Sequence, residues 1–383
     1  MTANIKLLIV EDVEEERQSW NRKLEMHNAD ESSVEIHHIF AESLTDAKEK
    51  IETQEFDAAI VDIRLKQESN QTGPNTDGNK VVELLVDSEM AVIALFTGES
   101  ALADIPTKAK AIKTFTKGDG YSLVMSWLIS HSQMIFQIKR AKNIIHKEMA
   151  KIFTQSIWPR WENWVRSSTG DETHTGNSIT RHIVSHLHAS LLNEMNQKAH
   201  PEEWYFVPPV RDGLRTGDII KNNDGRIEVV ITPRCDLERS GGKNETFQLV
   251  ECKDISTEWL PAAQKVKDAR NHVKSNTDAT KTNDLEKIAS KAEMQLGEFL
   301  QHKKSPIYHF LPKMSLSTET PPIGPFFVCF DKIRSVNRSN SEETSALIGN
   351  RVATIASEFL PSLVERLGTY FSRIGTPDYS HPE

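Results

Sequence analysis

Three carboxylates stand at the ends of two apolar runs. Asp62 follows the run Phe56–Val61, and Glu11 and Asp12 follow the run Ile5–Val10. Near-continuous apolar runs are typical of parallel strands that are buried on both faces, and ligands of such sheets bind beyond the carboxyl ends of the strands. Crowded carboxylates repel one another unless a cation compensates, and Mg²⁺ prefers oxygen ligands. The sequence therefore predicts one acidic cleft that binds Mg²⁺.

Two more polar side chains follow later predicted strands. Thr97 comes after the run Ala91–Phe96, and Lys117 comes after the run Ala111–Thr116. A hydroxyl and an ammonium group complete the set of polar side chains at this edge of the sheet. A single acid at a strand end is as often a helix cap, so the prediction depends on all five positions together.

The order of these residues resembles the receiver domain of bacterial response regulators, the phosphoacceptors of two-component signalling. The resemblance covers roughly the first third of the chain, and it implies a doubly wound, flavodoxin-like (βα)5 fold for residues 1–130. It also implies that Asp62 is the nucleophile that takes a phosphoryl group from a histidine kinase and that Thr97 and Lys117 contact the phosphoryl oxygens. These residue types suit phosphoryl transfer, which depends on positioning and charge neutralisation more than on covalent work by the protein. The implied Mg²⁺ ligands are the carboxylates of Glu11, Asp12 and Asp62 and the backbone carbonyl of Arg64.

The sequence departs from the receiver pattern near the site. Residues 66–76 are polar, rich in turn formers and more numerous than receivers have there, and we expect them to overhang Asp62 as a shield, as a kinase-selecting loop or without a role. Receivers place a switch aromatic three positions before the lysine and a proline after it, where this chain has Thr114 and Gly118. Phe115 is one position after the expected site of the aromatic residue, and because side chains alternate along a strand it points to the opposite face of the sheet from Thr114. Phosphorylation is therefore expected to cause a weak or different conformational response.

The composition limits the class of protein. The chain has 383 residues, of which 38% are hydrophobic, so two domains with cores of their own are expected. A formal net charge of −9 argues against bulk attraction to nucleic acid. The longest apolar runs are strand-sized, which predicts no membrane span, and the N-terminus lacks a signal-peptide layout. The three cysteines make no disulfide framework in a chain of this length. These features predict a cytoplasmic protein.

A helical pattern begins at Tyr121 and meets no breaker before Pro159. Its apolar residues are close to heptad spacing, which is typical of a helix that pairs with another helix. We expect a long connecting helix and assign residues 131–170 to a helical linker. This helix could carry a signal outwards, pair with its copy in a homodimer, or pack on its own second domain. The apolar positions are Val124, Leu128, Ile135, Ile138, Ile145, Met149 and Ile152.

Residues 171–383 are expected to form an α+β output domain with a small antiparallel sheet or barrel, because short strands with Gly and Asp turns precede and follow helical segments. Residues 261–304 predict a charged helical arm, and a long amphipathic helix is expected from about Ser345 to Arg373. The segments Thr232–Leu237 and Arg351–Pro377 are similar to uncharacterised domains of bacterial conflict and phage-defence proteins. That similarity implies a two-component defence cassette in which phosphorylation triggers or buffers a downstream effector protein.

One constellation in this domain could carry chemistry. Asp236, followed by Glu251 and Lys253 at the end of an apolar strand, resembles the core of restriction-endonuclease-like nucleases. Two carboxylates can bind Mg²⁺, and a lysine can orient water or stabilise charge during phosphodiester hydrolysis. A phosphorylation-controlled metal nuclease is therefore one alternative function.

Other candidates have weaker support. His182 and His186 have the i, i+4 spacing of a metal-binding helix face, but no acid or cysteine is adjacent, so they and His188 are expected to be solvated or capping residues. Cys235 has no assignable base and is expected to be a buried structural thiol. The sequence thus favours a signalling protein over an enzyme. A DNA-binding transcriptional regulator is the third alternative. Its support is that transcriptional regulation is the usual output of response regulators, since no helix-turn-helix stands out in this sequence.

Overall fold

The computed structural model of the chain describes residues 4–30, 34–66, 75–107, 109–166, 172–193, 199–210, 213–238, 245–278, 280–300 and 305–372. The chain consists of two compact units, Met1–Asn196 and Gln197–Glu383. The predicted domain limits at residues 130 and 170 stay predictions. Most of the polar segment before Asp77, residues 67–74, and the end of the chain after residue 372 lie outside the described residues. Within the described ranges, no helix is long and apolar enough to cross a membrane.

The first unit contains a parallel five-stranded sheet with the strand order β2-β1-β3-β4-β5. The order reverses between β1 and β3, which is the switch point where ligands of doubly wound sheets bind. This topology confirms the predicted flavodoxin-like fold. The strands are β1 (Asn4–Val10), β2 (Glu35–Ala41), β3 (Ala58–Val61), β4 (Val92–Thr97) and β5 (Lys113–Thr116).

Helices cover both faces of this sheet because its strands alternate between two apolar layers. Leu7 and Ile9 belong to the core cluster that includes residues of α1 and α4, whereas Leu8 and Val10 belong to the cluster that includes residues of α2 and α3. The helices are α1 (Glu14–Asn28), α2 (Leu44–Thr53), α3 (Asp77–Ser88) and α4 (Tyr121–Ser130).

One detail departs from a full (βα)5 pattern. Between β4 and β5, residues 98–107 and 109–112 contain no α-helix, only a single 3-10 turn at Ser100–Leu102. Pro106 lies in the middle of this segment, where it removes a backbone donor and disfavours a helix. Ala103, Ile105 and Ile112 pack against the core in place of a helix.

The connecting helix is not continuous, contrary to the prediction. Helix α4 ends at Ser130, and α5 (Ser132–Ile152) begins after an interruption at His131. The Ser130 hydroxyl and the His131 ring Nδ1 both donate to the carbonyl of Trp127, at 2.6 and 2.8 Å, which explains why the helix ends there. Beyond Ile152 a π turn and a 3-10 turn lead to the short helix α6 (Trp161–Arg166), and α7 (Glu172–Asn193) packs back on α5 within the same unit.

The second unit is an α+β fold, as predicted, with one antiparallel seven-stranded sheet. Its strand order is β10-β11-β9-β8-β7-β12-β6. The strands are β6 (Tyr205–Phe206), β7 (Asp218–Lys221), β8 (Ile227–Val230), β9 (Thr246–Asp254), β10 (Tyr308–Leu311), β11 (Phe326–Asn337) and β12 (Arg351–Ile355). The helices are α8 (Arg234–Glu238), α9 (Ser256–Ser275), α10 (Thr282–Leu300), α11 (Ser341–Gly349) and α12 (Leu360–Phe371).

The predicted long C-terminal helix is wrong, because β12 lies between α11 and α12. Asn350 ends α11, and the β-branched residues that follow it suit a strand. Thr354 in this strand donates to the buried carboxylate of Asp218 at 2.5 Å, which fixes β12 against β7. The predicted charged arm is a pair of helices, α9 and α10, joined by Arg270, which bonds to Glu293 and Glu286.

Candidate functional site

The predicted cleft is present at the carboxyl ends of the parallel strands. β1 ends just before Glu11 and Asp12, and the neighbouring strand β3 ends just before Asp62. One carboxylate oxygen from each of these three residues lies within 4.8 Å of the others. The switch point between β1 and β3 therefore brings together the acids that are separated by about fifty positions in the sequence.

Lys117, which follows β5, binds two of the three acids. Its Nζ lies 2.8 Å from Asp62 Oδ2 and 2.9 Å from Glu11 Oε2. Burial lowers the pKa of Lys117, but the hydrogen bonds to Asp62 and Glu11 outweigh burial and raise the pKa above its ordinary value. The ammonium group is thus protonated at neutral pH and holds one oxygen of Asp62 in place.

The carboxylates carry more negative charge than Lys117 compensates. Glu11 and Asp62 are buried, and burial raises the pKa of both Glu11 and Asp12 despite the nearby lysine. Asp62 Oδ1 is buried without a hydrogen-bond partner among the described residues. Three carboxylates and one ammonium leave a net charge of −2 in a cleft that offers an unsatisfied oxygen. These residues fit a divalent cation such as Mg²⁺.

Thr97 is buried at the end of β4, the strand next to β3. Its hydroxyl accepts a hydrogen bond from the backbone N–H of Glu99 at 3.2 Å. Arg64, two residues after Asp62, forms an ion pair of 2.6 Å with Glu99. This pair links the loop after β3 to the loop after β4. The sequence did not single out Glu99, because only the fold brings it next to Arg64.

Gly78 is a second positioning residue that the sequence did not single out. Its N–H donates to the carbonyl of Ile63, and a Cβ added to it would lie 1.9 Å from the carbonyl oxygen of Asp62. Only glycine allows the start of α3 to approach the loop after Asp62 so closely. The Asp77-Gly78 pair in the sequence indicated a turn and nothing more.

Aromatic side chains pack beside the strands that precede Thr97 and Lys117. Phe115 is buried and packs edge-on against Trp127, at 5.7 Å between centroids, on the α1–α4 face. Tyr121 instead packs against Phe96, the residue before Thr97, at 5.3 Å. The Tyr121 hydroxyl donates to Glu16, and burial together with this hydrogen bond raises the pKa of Tyr121 to about 12.

The three nuclease candidates do not form one site. The Asp236 carbonyl accepts from Arg338, whose own N–H bonds to Glu245 at the start of β9. Glu251 lies opposite Glu228 further along that strand, about 16 Å from its beginning at 3.3 Å per residue. Two separate ion pairs also engage the other candidates: Glu251 with Lys332 at 2.7 Å, and Lys253 with Glu258 at 3.3 Å. The three residues therefore do not form the nuclease core that the sequence predicted.

The remaining candidate residues, the histidines and Cys235, lie on helices α7 and α8. The rings of His182 and His186 on α7 lie 5.9 Å apart, and His182 forms a hydrogen bond with Ser156 at 2.9 Å. Cys235 is exposed, so its prediction as a buried thiol is wrong. Across the described part of the chain, the acidic cleft is the one group of three or more His, Cys, Asp or Glu side chains with a spacing that could hold a metal ion.

No family model and no curated protein matches the chain. Several solved structures are similar to the first part of the chain. One is the response regulator TrrA of Thermotoga maritima in complex with Mg²⁺ and BeF, which is 18% identical in sequence. The match covers 32% of this chain and 96% of TrrA, with a TM-score of 0.26. The BeF₃-activated N-terminal receiver domain of Klebsiella pneumoniae RstA has 19% identity, coverages of 33% and 97%, and a TM-score of 0.25. A response regulator of Burkholderia pseudomallei with a phosphorylated aspartic acid, calcium and citrate has 16% identity, coverages of 46% and 92%, and a TM-score of 0.27.

Proposed function

We propose that the chain is a two-component response regulator that accepts a phosphoryl group on Asp62 from a histidine kinase. One observation carries this proposal: Asp62 is buried in an acidic cleft with Oδ2 bound to Lys117 and Oδ1 without a partner. A carboxylate held by one oxygen presents the other oxygen in a fixed direction, which suits a nucleophile.

In the proposed reaction, an Asp62 oxygen forms a bond to phosphorus while the bond from phosphorus to the donor nitrogen breaks. Lys117 neutralises charge on the phosphoryl oxygens, and the buried hydroxyl of Thr97 donates to one of them. Glu11 and Asp12, with Asp62 and the backbone carbonyl of Arg64, would hold Mg²⁺. When bound, the metal would neutralise negative charge that develops on the transferred group.

The output remains a proposal drawn from the sequence. Residues 1–130 would be the receiver, 131–170 the linker and 171–383 the output domain, and phosphorylation would control or buffer a downstream effector, in the cytoplasm and within a phage-defence system. The nuclease alternative loses its geometric support because Asp236 is linked through Arg338 to the residue before β9, whereas Glu251 lies further along that strand. No observation on the described residues favours the DNA-binding alternative.

Binding of beryllofluoride, which mimics a phosphoryl group, tests the proposal without a kinase. With Mg²⁺ present, beryllofluoride is expected to raise the unfolding temperature of the wild type and not that of Asp62→Asn. Asp57→Asn is a matched control, because Asp57 precedes the same strand at its other end and pairs with Lys139. Equal stabilisation of wild type and Asp62→Asn, or no stabilisation of either, would contradict the proposal.

A further inference from the structure

One face of α5 carries exposed apolar side chains. Met134, Ile138, Ile145 and Met149 recur at intervals of four, seven and four residues, and Phe153 continues the row after the helix. Each of the five exposes between 37 and 50% of its surface. At 1.5 Å per residue the row is about 28 Å long, and at 3.6 residues per turn it occupies one side of the helix. We call these five residues the α5 stripe. A row of this length marks an interaction surface.

The charges around the α5 stripe favour a second copy of the chain over a charged partner. Lys142 lies on the same side of the helix, between Ile138 and Ile145, and its Nζ lies 3.4 Å from Glu55 and 3.8 Å from Glu89 of its own unit. Arg140 and Lys147 project from the opposite side of the helix, as their spacing from the stripe requires. This side of the helix is therefore an apolar surface, because the charge of Lys142 is neutralised by Glu55 and Glu89 of the same unit.

A cavity opens beside the α5 stripe at the beginning of the helix. Its volume is about 240 Å³, and the residues that line it include Met90, Val92, Met134 and Ile138 together with the acids Asp57 and Glu89. A cavity of about 150 Å³ is enough to hold benzene, so an aromatic side chain fits this space. At the other end of the stripe, Phe153 exposes half of its surface.

We propose that the chain forms a homodimer in which two α5 helices pack antiparallel about a two-fold axis between Asn143 and Ile144. This register sets Ile138 opposite the partner's Met149, and it brings the partner's Phe153 to the cavity beside Met134. A two-fold axis makes both contacts occur twice.

The alternative, a parallel pair, has an electrostatic disadvantage. It would set Lys142 against Lys142 of the partner subunit, whereas the antiparallel register sets it beside the partner's Ile145. Like charges directly opposite each other destabilise a helix pair. The homodimer does not depend on phosphorylation of Asp62, so the two proposals can fail separately.

Analytical ultracentrifugation of the full chain tests the interface. The wild type is expected to be a dimer at micromolar concentration, and Met149→Glu is expected to raise the dimer dissociation constant at least about 100-fold, because two apolar side chains lose their burial. Ile144→Glu is the matched control: Ile144 is 42% exposed on the same helix but off the stripe, and we expect a change below about threefold. A monomeric wild type, or equal effects of both variants, would overturn the proposal.

Disulfide cross-linking tests the orientation. Ile138→Cys and Met149→Cys chains of different mass, each in a Cys235→Ser background because Cys235 is exposed, are mixed and oxidised. The antiparallel register predicts a mixed disulfide between the two variants. It predicts none between two Ile138→Cys chains, whose cysteines would be about 16 Å apart along the axis. A disulfide between two Ile138→Cys chains without a mixed product would overturn the antiparallel arrangement.

Discussion

Replacing Lys117 with Met should destabilise the first unit, and most strongly when divalent metal is absent. The side chains of Glu11 and Asp62 are 2 and 8% exposed, and Lys117 is 24% exposed, so the variant leaves two buried carboxylates without their cation. Removing one partner of a buried ion pair costs about 3 to 5 kcal/mol. Because Lys117 is partly exposed and water can enter, we expect the lower end, about 3 kcal/mol.

The assay is chemical unfolding of wild type and Lys117→Met in EDTA and in Mg²⁺. A bound cation replaces part of the lost positive charge, so Mg²⁺ should stabilise the variant more than the wild type. Lys139→Met is the control: Lys139 also forms a 2.8 Å ion pair, with Asp57, but it is 37% exposed, and we expect a loss below about 1 kcal/mol. If Lys117→Met unfolds within about 0.5 kcal/mol of wild type in EDTA, the assigned role of Lys117 in the cleft is wrong.

Three further predictions concern other parts of the chain. Gly78→Ala should lower the free energy of unfolding by at least about 2 kcal/mol and weaken Mg²⁺ binding, as calorimetry would show, because its Cβ would displace the loop after Asp62. As pH falls towards about 4, Mg²⁺ affinity should decline, whereas the stability of the wild type relative to a Glu11→Gln, Asp12→Asn variant in EDTA should rise, because burial raises the pKa of Glu11 and Asp12 and these two groups then bind more protons in the folded state than in the unfolded state. A relative stability that falls together with Mg²⁺ affinity would contradict this. Arg334→Met should cost about 3 kcal/mol, since Glu228 would stay buried without its bidentate partner, and beryllofluoride binding should not change.

The sequence was most informative at the carboxyl ends of the strands in the first unit. Apolar runs located four of the five strands of the first sheet, β1, β3, β4 and β5, and parallel strands place their carboxyl ends together, so the positions of Asp62 and Lys117 could be predicted. Gly78 and Glu99 could not be predicted, because their roles depend on close approach of segments that are distant in sequence. A turn dipeptide and a surface acid carry no local sign of such contacts.

The second unit was harder to predict because its sheet joins strands in a non-sequential order. β12 pairs with β7 and β6, although more than a hundred residues separate them, and helical spacing in the surrounding sequence hid its strand character. The nuclease prediction failed for a related reason, because the sequence did not show where Asp236 lies relative to the strand that carries Glu251 and Lys253. Glu251 and Lys253 do lie on one strand, but the position of Asp236 depends on the turn after β8, which the sequence does not specify.

Phosphorylation of the intact chain by a small phosphodonor tests the central claim most directly. In Mg²⁺, mass spectrometry of the wild type and of the Asp57→Asn control should show one added phosphoryl group, and peptide mapping should place it on Asp62. Asp62→Asn should remain unmodified, and EDTA should abolish the modification of the wild type. Modification of Asp62→Asn to the same extent as the wild type, or a phosphoryl group mapped elsewhere, would contradict the account.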